Sequence, residues 1–222
     1  MNELTTIVAN TLSIQTLFTI LTVIATATMA ITGVIQAYRH NFDPIGAAVL
    51  ALITAVGGGT VRDLLLGATP VFWVTDLIYV VTVVPVAIVS VIFARFLKSG
   101  AGRRQQLLNY IDAIGLALFT IVGVQKSLNM DVHYVIAIVM GAVTGVAGGM
   151  IRDLLCGEPP TVLREDLYTV VSLAGGALLI VLLNYLPFNS SSLITFIAIV
   201  LTRFWVIHRG LSLPPISGRN DL

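Results

Sequence analysis

Of 222 residues, 57% are hydrophobic and only 10% charged, against about 25% charged in a typical soluble domain. With a mean hydropathy of +0.97 the chain cannot cover itself with polar surface, and it reads as an all-α membrane protein. A net charge of +1 with scattered arginines excludes a nucleic-acid partner, and a single cysteine, Cys156, excludes an internal disulfide.

Residues 1–13 hold Glu3 but no Lys or Arg, so they lack the basic leader of a cleavable signal, and the first apolar stretch is expected to remain as a membrane helix. Apolar runs between polar or Pro/Gly punctuation predict seven transmembrane helices, over 14–37, 44–66, 72–96, 107–128, 133–156, 164–186 and 191–208. The first carries Thr16, Thr19, Thr22, Thr26, Thr28 and Thr32. Thr19, Thr22 and Thr26 share a face, either as the lining of a polar path or as hydroxyls bonded to their own backbone.

The second helix contains Gly57, Gly58 and Gly59, and the fifth contains Gly148 and Gly149. Each glycine costs a helix roughly 1 kcal/mol relative to alanine, so consecutive glycines predict a break or a close backbone approach. Just beyond them come Arg62–Asp63 and Arg152–Asp153. A charge at the bilayer centre costs about 3 kcal/mol, so these groups are expected to find partners, Arg62 with Asp153 and Arg152 with Asp63, or to snorkel to headgroups. Lys126, at the end of the fourth helix, is either an interface anchor or a pore-mouth charge, the anchor being favoured; Asp112 is expected to pair with Arg203.

The two glycine segments are copies. Thr54–Gly67 and Thr144–Gly157 match at nine of fourteen positions, 90 residues apart without a gap. The same offset pairs Gly33 with Gly123, Pro70 with Pro160, Asp76 with Asp166 and Leu77 with Leu167, and pairs Cys156 with Leu66, marking the cysteine as a small apolar residue. It maps helices one to three onto four to six. Three is odd, so the copies should enter the membrane from opposite sides as an inverted three-plus-three repeat plus a seventh helix.

The units are then an N-terminal segment (1–13), a first repeat (14–97), a basic loop (98–106), an inverted second repeat (107–187), the seventh helix (188–208) and a tail (209–222). Arg95, Lys98, Arg103 and Arg104 in the loop, with Arg203, Arg209 and Arg219 near the C-terminus, place both on the cytoplasmic side and the N-terminus outside. There is no HExxH, GxSxG or P-loop, so no enzyme signature, and the isolated His40, His133 and His208 offer no metal site; no cofactor is implied.

Two copies of GG(G)xxRDLLxG in a seven-helix chain of this length resemble the prokaryotic trimeric intracellular cation (TRIC) channels, bacterial relatives of which are also described as glycine transporters. The resemblance covers about residues 15–208. It implies a homotrimer in a bacterial inner membrane, in contact with lipid, passing potassium or sodium ions. Each protomer would hold one pathway beside the glycine-kinked second and fifth helices, at Gly57, Gly58, Gly59, Gly148 and Gly149. Gating would fall to Arg62 and Arg152 with their partners Asp63 and Asp153, and Thr19, Thr22, Thr26 and Lys126 are candidate pore-lining groups. Two departures stand out: Ala147 replaces a third glycine, and Thr-Val-Arg-Asp stands where animal channels carry Lys-Glu-Val, so their headgroup binding does not transfer. A small-amino-acid transporter is the alternative, and a membrane protein without transport activity the third reading.

Overall fold

The computed structural model describes residues 2–94, 101–164 and 167–211, with side chains described over 16–93, 102–163 and 167–211. Arg95, Lys98, Asp166 and Arg219 lie outside these residues. Among the described residues the regular structure is all helical: α1 (Asn2–Arg39), α2 (Pro44–Leu65), α3 (Phe72–Thr75), α4 (Ile78–Ala94), α5 (Ala101–Leu128), α6 (Tyr134–Leu155), α7 (Thr161–Arg164), α8 (Leu167–Leu183) and α9 (Phe188–Arg209).

Five of them, α1, α2, α5, α6 and α9, are long and apolar enough to cross a membrane. Two further apolar helices, α4 and α8, are described over 17 residues each. The single helix expected over 72–96 is divided, the four-residue α3 preceding α4, and in the second copy the four-residue α7 opens at Thr161, before the expected start at 164. At the termini of other elements the helices run further than expected: α1 already begins at Asn2, and α5 takes in residues 101–106 of the basic loop.

The duplication is visible in the backbone. Both copies turn through a left-handed residue after their first helix, Asn41 at φ 57° and Asp131 at φ 56°. Both close their second helix on a left-handed glycine, Gly67 at φ 69° and Gly157 at φ 71°, which a side chain would strain. The 90-residue register then slips by one. Phe72 and Thr161 open equivalent short helices 89 residues apart, each bonded to the aspartate of its own copy, and Tyr79 and Tyr168, also 89 apart, each act on the arginine of their copy, so Tyr79 and not Ile78 corresponds to Tyr168.

Each copy packs its first helix on its second and fourth, α1 on α2 and α4, α5 on α6 and α8. The copies meet through α1 on α5 and α2 on α6, and α9 lies against α5 and α8. Ala25, Met29, Ala55, Val83 and Phe119 fill a core shared by α1, α2, α4 and α5.

At the α2–α6 contact the helices run uninterrupted through their glycines. The expected break is corrected: the glycines serve approach. A Cβ on Gly58 would strike the carbonyl oxygen of Thr144, and one on Gly148 would lie 2.5 Å from that of Thr54. Thr54 and Thr144 are themselves 90 residues apart, so these are one contact seen from the two copies. Gly57 lies against Ile151 and Gly148, Gly59 is covered by the Phe72 ring, and Gly149 sits beside Arg152 and Asp112.

Gly58→Ala should therefore force the two backbones apart and lower stability by about 1–3 kcal/mol. Gly102→Ala, with open space at its Cβ, should be neutral or stabilising by up to about 1 kcal/mol. Thermal unfolding of the two variants side by side in detergent checks this; equal midpoints would contradict it.

Candidate functional site

Each copy ends its second helix in Arg-Asp, and the arginine folds back onto its own neighbour. Arg62 donates Nε and Nη2 to Oδ1 of Asp63, at 2.9 and 2.7 Å, and Arg152 does the same to Oδ1 of Asp153, at 2.9 and 2.8 Å. The pairing across copies is thus corrected: adjacent side chains diverge on a helix, but a guanidinium arm is long enough to return. Both arginines are almost fully buried, 2% and 1% exposed, so neither snorkels to headgroups.

The second carboxylate oxygen holds the next element. Oδ2 of Asp63 accepts from the backbone N–H of Phe72 at 3.0 Å, and Oδ2 of Asp153 accepts from that of Thr161 at 2.9 Å. Each is the first residue of a short helix, where the N–H has no helical partner. One aspartate therefore neutralises a buried arginine and ties the end of α2 or α6 to the start of α3 or α7.

Around these matched cores the two ends of the bundle differ. At the α5–α6 end, Lys126 on α5 donates to Oδ2 of Asp63 at 2.9 Å, so the residue expected as an interface anchor turns inward. Above it lies a cavity of about 300 Å3, lined among others by Thr22, Gly59, Arg62, Phe72, Tyr79 and Lys126. The Arg62 guanidinium lies 5.6 Å from the centre of the Phe72 ring.

At the α1–α2 end, Asp112 on α5 takes Nη1 of Arg152 at 2.8 Å and also accepts the hydroxyl proton of Tyr168. The partnership expected for Asp112 was Arg203; that guanidinium instead lies over the Tyr168 ring, 4.7 Å from its centre. Only about 10 Å3 of space remains among Asp112, Gly149, Arg152, Asp153 and Tyr168.

Of the threonines sharing a face on α1, Thr22 reaches the cavity, Thr26 is wholly buried, and Thr19 is exposed. Thr22 and Thr26 both donate to the carbonyl one turn back, Phe18 and Thr22 respectively. Cys156 packs as a small apolar residue on Ala37, Ala47 and Leu50.

Sequence reasoning missed Tyr79, Tyr168 and Glu158. Glu158, in the loop after α6, accepts from Gln36 at 2.9 Å and meets His40 at 3.1 Å and Arg39 at 3.4 Å, closing the second copy onto the first. Burial pushes this carboxyl up, but the Gln36 hydrogen bond and the Arg39 and His40 charges outweigh it and hold Glu158 below the usual carboxylate range. The offset pairs Gln36 with Lys126, so these two positions carry the inter-copy polar link at opposite ends; that correspondence was the available signal.

Comparison with known proteins places this arrangement. A family model described as glycine transporter matches twice, over residues 19–95 and 109–184, once on each copy. A UPF0126 membrane protein of Vibrio cholerae is 40% identical over 193 residues, 86% of this chain and 80% of that protein. The UPF0126 inner membrane protein YadS of Escherichia coli K12 is 36% identical over 203 residues, 89% of this chain and 95% of that one. Among solved structures, the TRIC trimeric intracellular cation channel orthologue from Rhodobacter sphaeroides matches with a TM-score of 0.83 and 37% identity, covering 88% of this chain and all of that one.

Two predictions follow from the charge geometry. Asp112→Asn should cost roughly 3–5 kcal/mol, because it leaves a buried arginine under-compensated, whereas Lys126→Gln at a partly exposed site should cost about 1 kcal/mol or less; chemical unfolding in detergent ranks them, and the reverse order would refute the assignment. For Glu158 the depressed folded value means that its contribution is complete above the unfolded value, about 4.3, and is lost as pH falls through the folded one. Thermal midpoints should therefore drop below about pH 4.3 by more in the native chain than in Glu158→Gln; parallel curves would contradict this.

Proposed function

The chain belongs to the TRIC/UPF0126 family, and from that premise we propose that it is a homotrimeric channel for monovalent cations, potassium foremost, with one pathway in each protomer beside α2 and α6. The observation that carries this reading is the structural match along the whole length of a trimeric intracellular cation channel orthologue.

The internal geometry supports it. Gly58 against Thr144 and Gly148 against Thr54 exchange under a 90-residue shift, as contacts related by a two-fold axis do. Counting α3–α4 and α7–α8 as one crossing each gives three per copy and seven in all, and an odd count lays that axis in the membrane plane. The units are then the two repeats, 14–97 and 107–187, followed by the seventh helix over 188–208. Arg39, Arg103, Arg104 and Arg209 gather toward the α1–α2 end, which we assign to the cytoplasm of a bacterial inner membrane, with the N-terminus outside.

In this reading the cavity opens outward and Arg62 and Lys126, both held by Asp63, stand in the path of an entering cation. Their positive field opposes permeation, so the conformation is closed. Opening requires these two groups to withdraw, and Arg152, locked between Asp112 and Asp153, guards the far end. Gly57, Gly58, Gly59, Gly148 and Gly149 let the two helices lie close enough to share one pathway.

Full-length protein reconstituted in planar bilayers should give unitary potassium current steps, and proteoliposomes should show no saturable uptake of labelled glycine. Lys126→Gln should raise basal potassium flux several-fold. Saturable glycine exchange without current would overturn the channel reading, and an unchanged or reduced basal flux in Lys126→Gln would overturn the plug.

A further inference from the structure

The two copies of the charge site differ in one acid, and the difference leaves donors facing an open cavity. In the second copy Arg152 spends all three guanidinium nitrogens on carboxylates, Nε and Nη2 on Asp153 and Nη1 on Asp112. Tyr168, on α8, completes the set by donating its hydroxyl to the same Asp112.

In the first copy the corresponding groups are Arg62 and Tyr79, the second residue of α4. The position 90 residues before Asp112 is Thr22, whose hydroxyl donates to the Phe18 carbonyl. Nε and Nη2 of Arg62 are taken by Asp63, but among the described residues Nη1 of Arg62 and the hydroxyl of Tyr79 have no hydrogen-bond acceptor. Arg62, Tyr79 and Thr22 all line the cavity of about 300 Å3, where the site holding Asp112 leaves about 10 Å3.

We propose that this cavity binds a small carboxylate, which takes the place against Arg62 and Tyr79 that Asp112 takes against Arg152 and Tyr168. Three features define the ligand. Two cations, Arg62 and Lys126, share the single carboxylate of Asp63, so the wall carries uncompensated positive charge. A guanidinium edge beside a hydroxyl suits a planar two-oxygen acceptor better than a spherical anion. Phe18, Phe119 and Val122 supply apolar wall, and Lys126 repels an ammonium, so the tail is short and aliphatic, as in propionate. Asn129 and Met130, in the turn between α5 and α6, sit at the rim, so the ligand enters from water at that end.

Full-length protein in nanodiscs, titrated with propionate at constant ionic strength in a chloride background and followed by saturation-transfer NMR and calorimetry, tests this. Binding should be saturable in the native chain, about tenfold weaker in Tyr79→Phe, and absent in Thr22→Asp, which supplies the missing carboxylate in cis and should raise the unfolding midpoint of the ligand-free protein. No saturable binding in the native chain, native-like binding in Tyr79→Phe, or displacement by equimolar chloride would overturn it. Thr22→Asp tests occupancy, and Tyr79→Phe, which removes one oxygen, keeps the test decisive should the aspartate variant not fold. The titration is made at equilibrium without flux, so its outcome is separate from that of the channel reading.

Discussion

The approach of α2 to α6 is the constraint on which the remaining structure depends. Two helices ordinarily pack 8–10 Å apart because their side chains intervene, and here the backbone of each helix occupies the space where the other would carry a Cβ. Such an approach excludes every residue but glycine at Gly58 and Gly148, and it fixes the depth at which the helices cross. Once that depth is set, both Arg-Asp pairs fall a turn beyond the crossing, toward opposite ends of the bundle. In a membrane no hydrophobic force pulls helices together, so close van der Waals contact of this kind carries much of the association.

The buried charges follow from the same geometry. An arginine placed one turn past the crossing is almost wholly buried, and its nearest reliable counter-charge is the next residue in the chain. Asp63 and Asp153 supply it, and they also accept the first free N–H of the following short helix. Desolvating an ion pair is repaid only when the remaining hydrogen-bonding capacity is also satisfied. That condition is met fully around Arg152, where Asp112 and Tyr168 close the set, and incompletely around Arg62, where a cavity replaces them. Duplication thus produced two sites of one design that have diverged in electrostatic completeness.

Much of this was legible in the sequence because glycine and charge are rare at membrane depth. The 90-residue offset located the two copies, the glycine runs located the crossing, and the Arg-Asp pairs stood out against a chain with 10% charged residues. What the glycines do was not legible, since a run of them reads equally as a broken helix or as a packing seam, and only the partner backbone distinguishes the two. The Arg62–Asp63 pairing escaped because reasoning from helical angles treats side chains as short vectors, whereas arginine spans more than a helical turn. Tyr79 and Tyr168 escaped for another reason: the one-residue slip between the copies after Gly157 hides their equivalence from an alignment held at 90. Glu158 lies past the end of its helix, where no periodicity predicts a contact with Gln36 and Arg39.

In the inverted channel proposed above, asymmetry between the ends is also what gives the pathway a direction. Two inverted copies that stayed identical would present the same barrier from both sides, and neither end could respond to its own compartment. With Thr22 at the position matching Asp112, and Lys126 at that matching Gln36, one end is filled by internal carboxylates and the other keeps a positively charged cavity. The sealed end needs the concerted release of a buried arginine from two carboxylates, whereas at the open end one lysine, 26% exposed, and one arginine share a single acid. In that proposal the energetic difference between the two arrangements sets which end yields first. By the ordinary cost of buried against half-exposed ion pairs, that end is the one with the cavity.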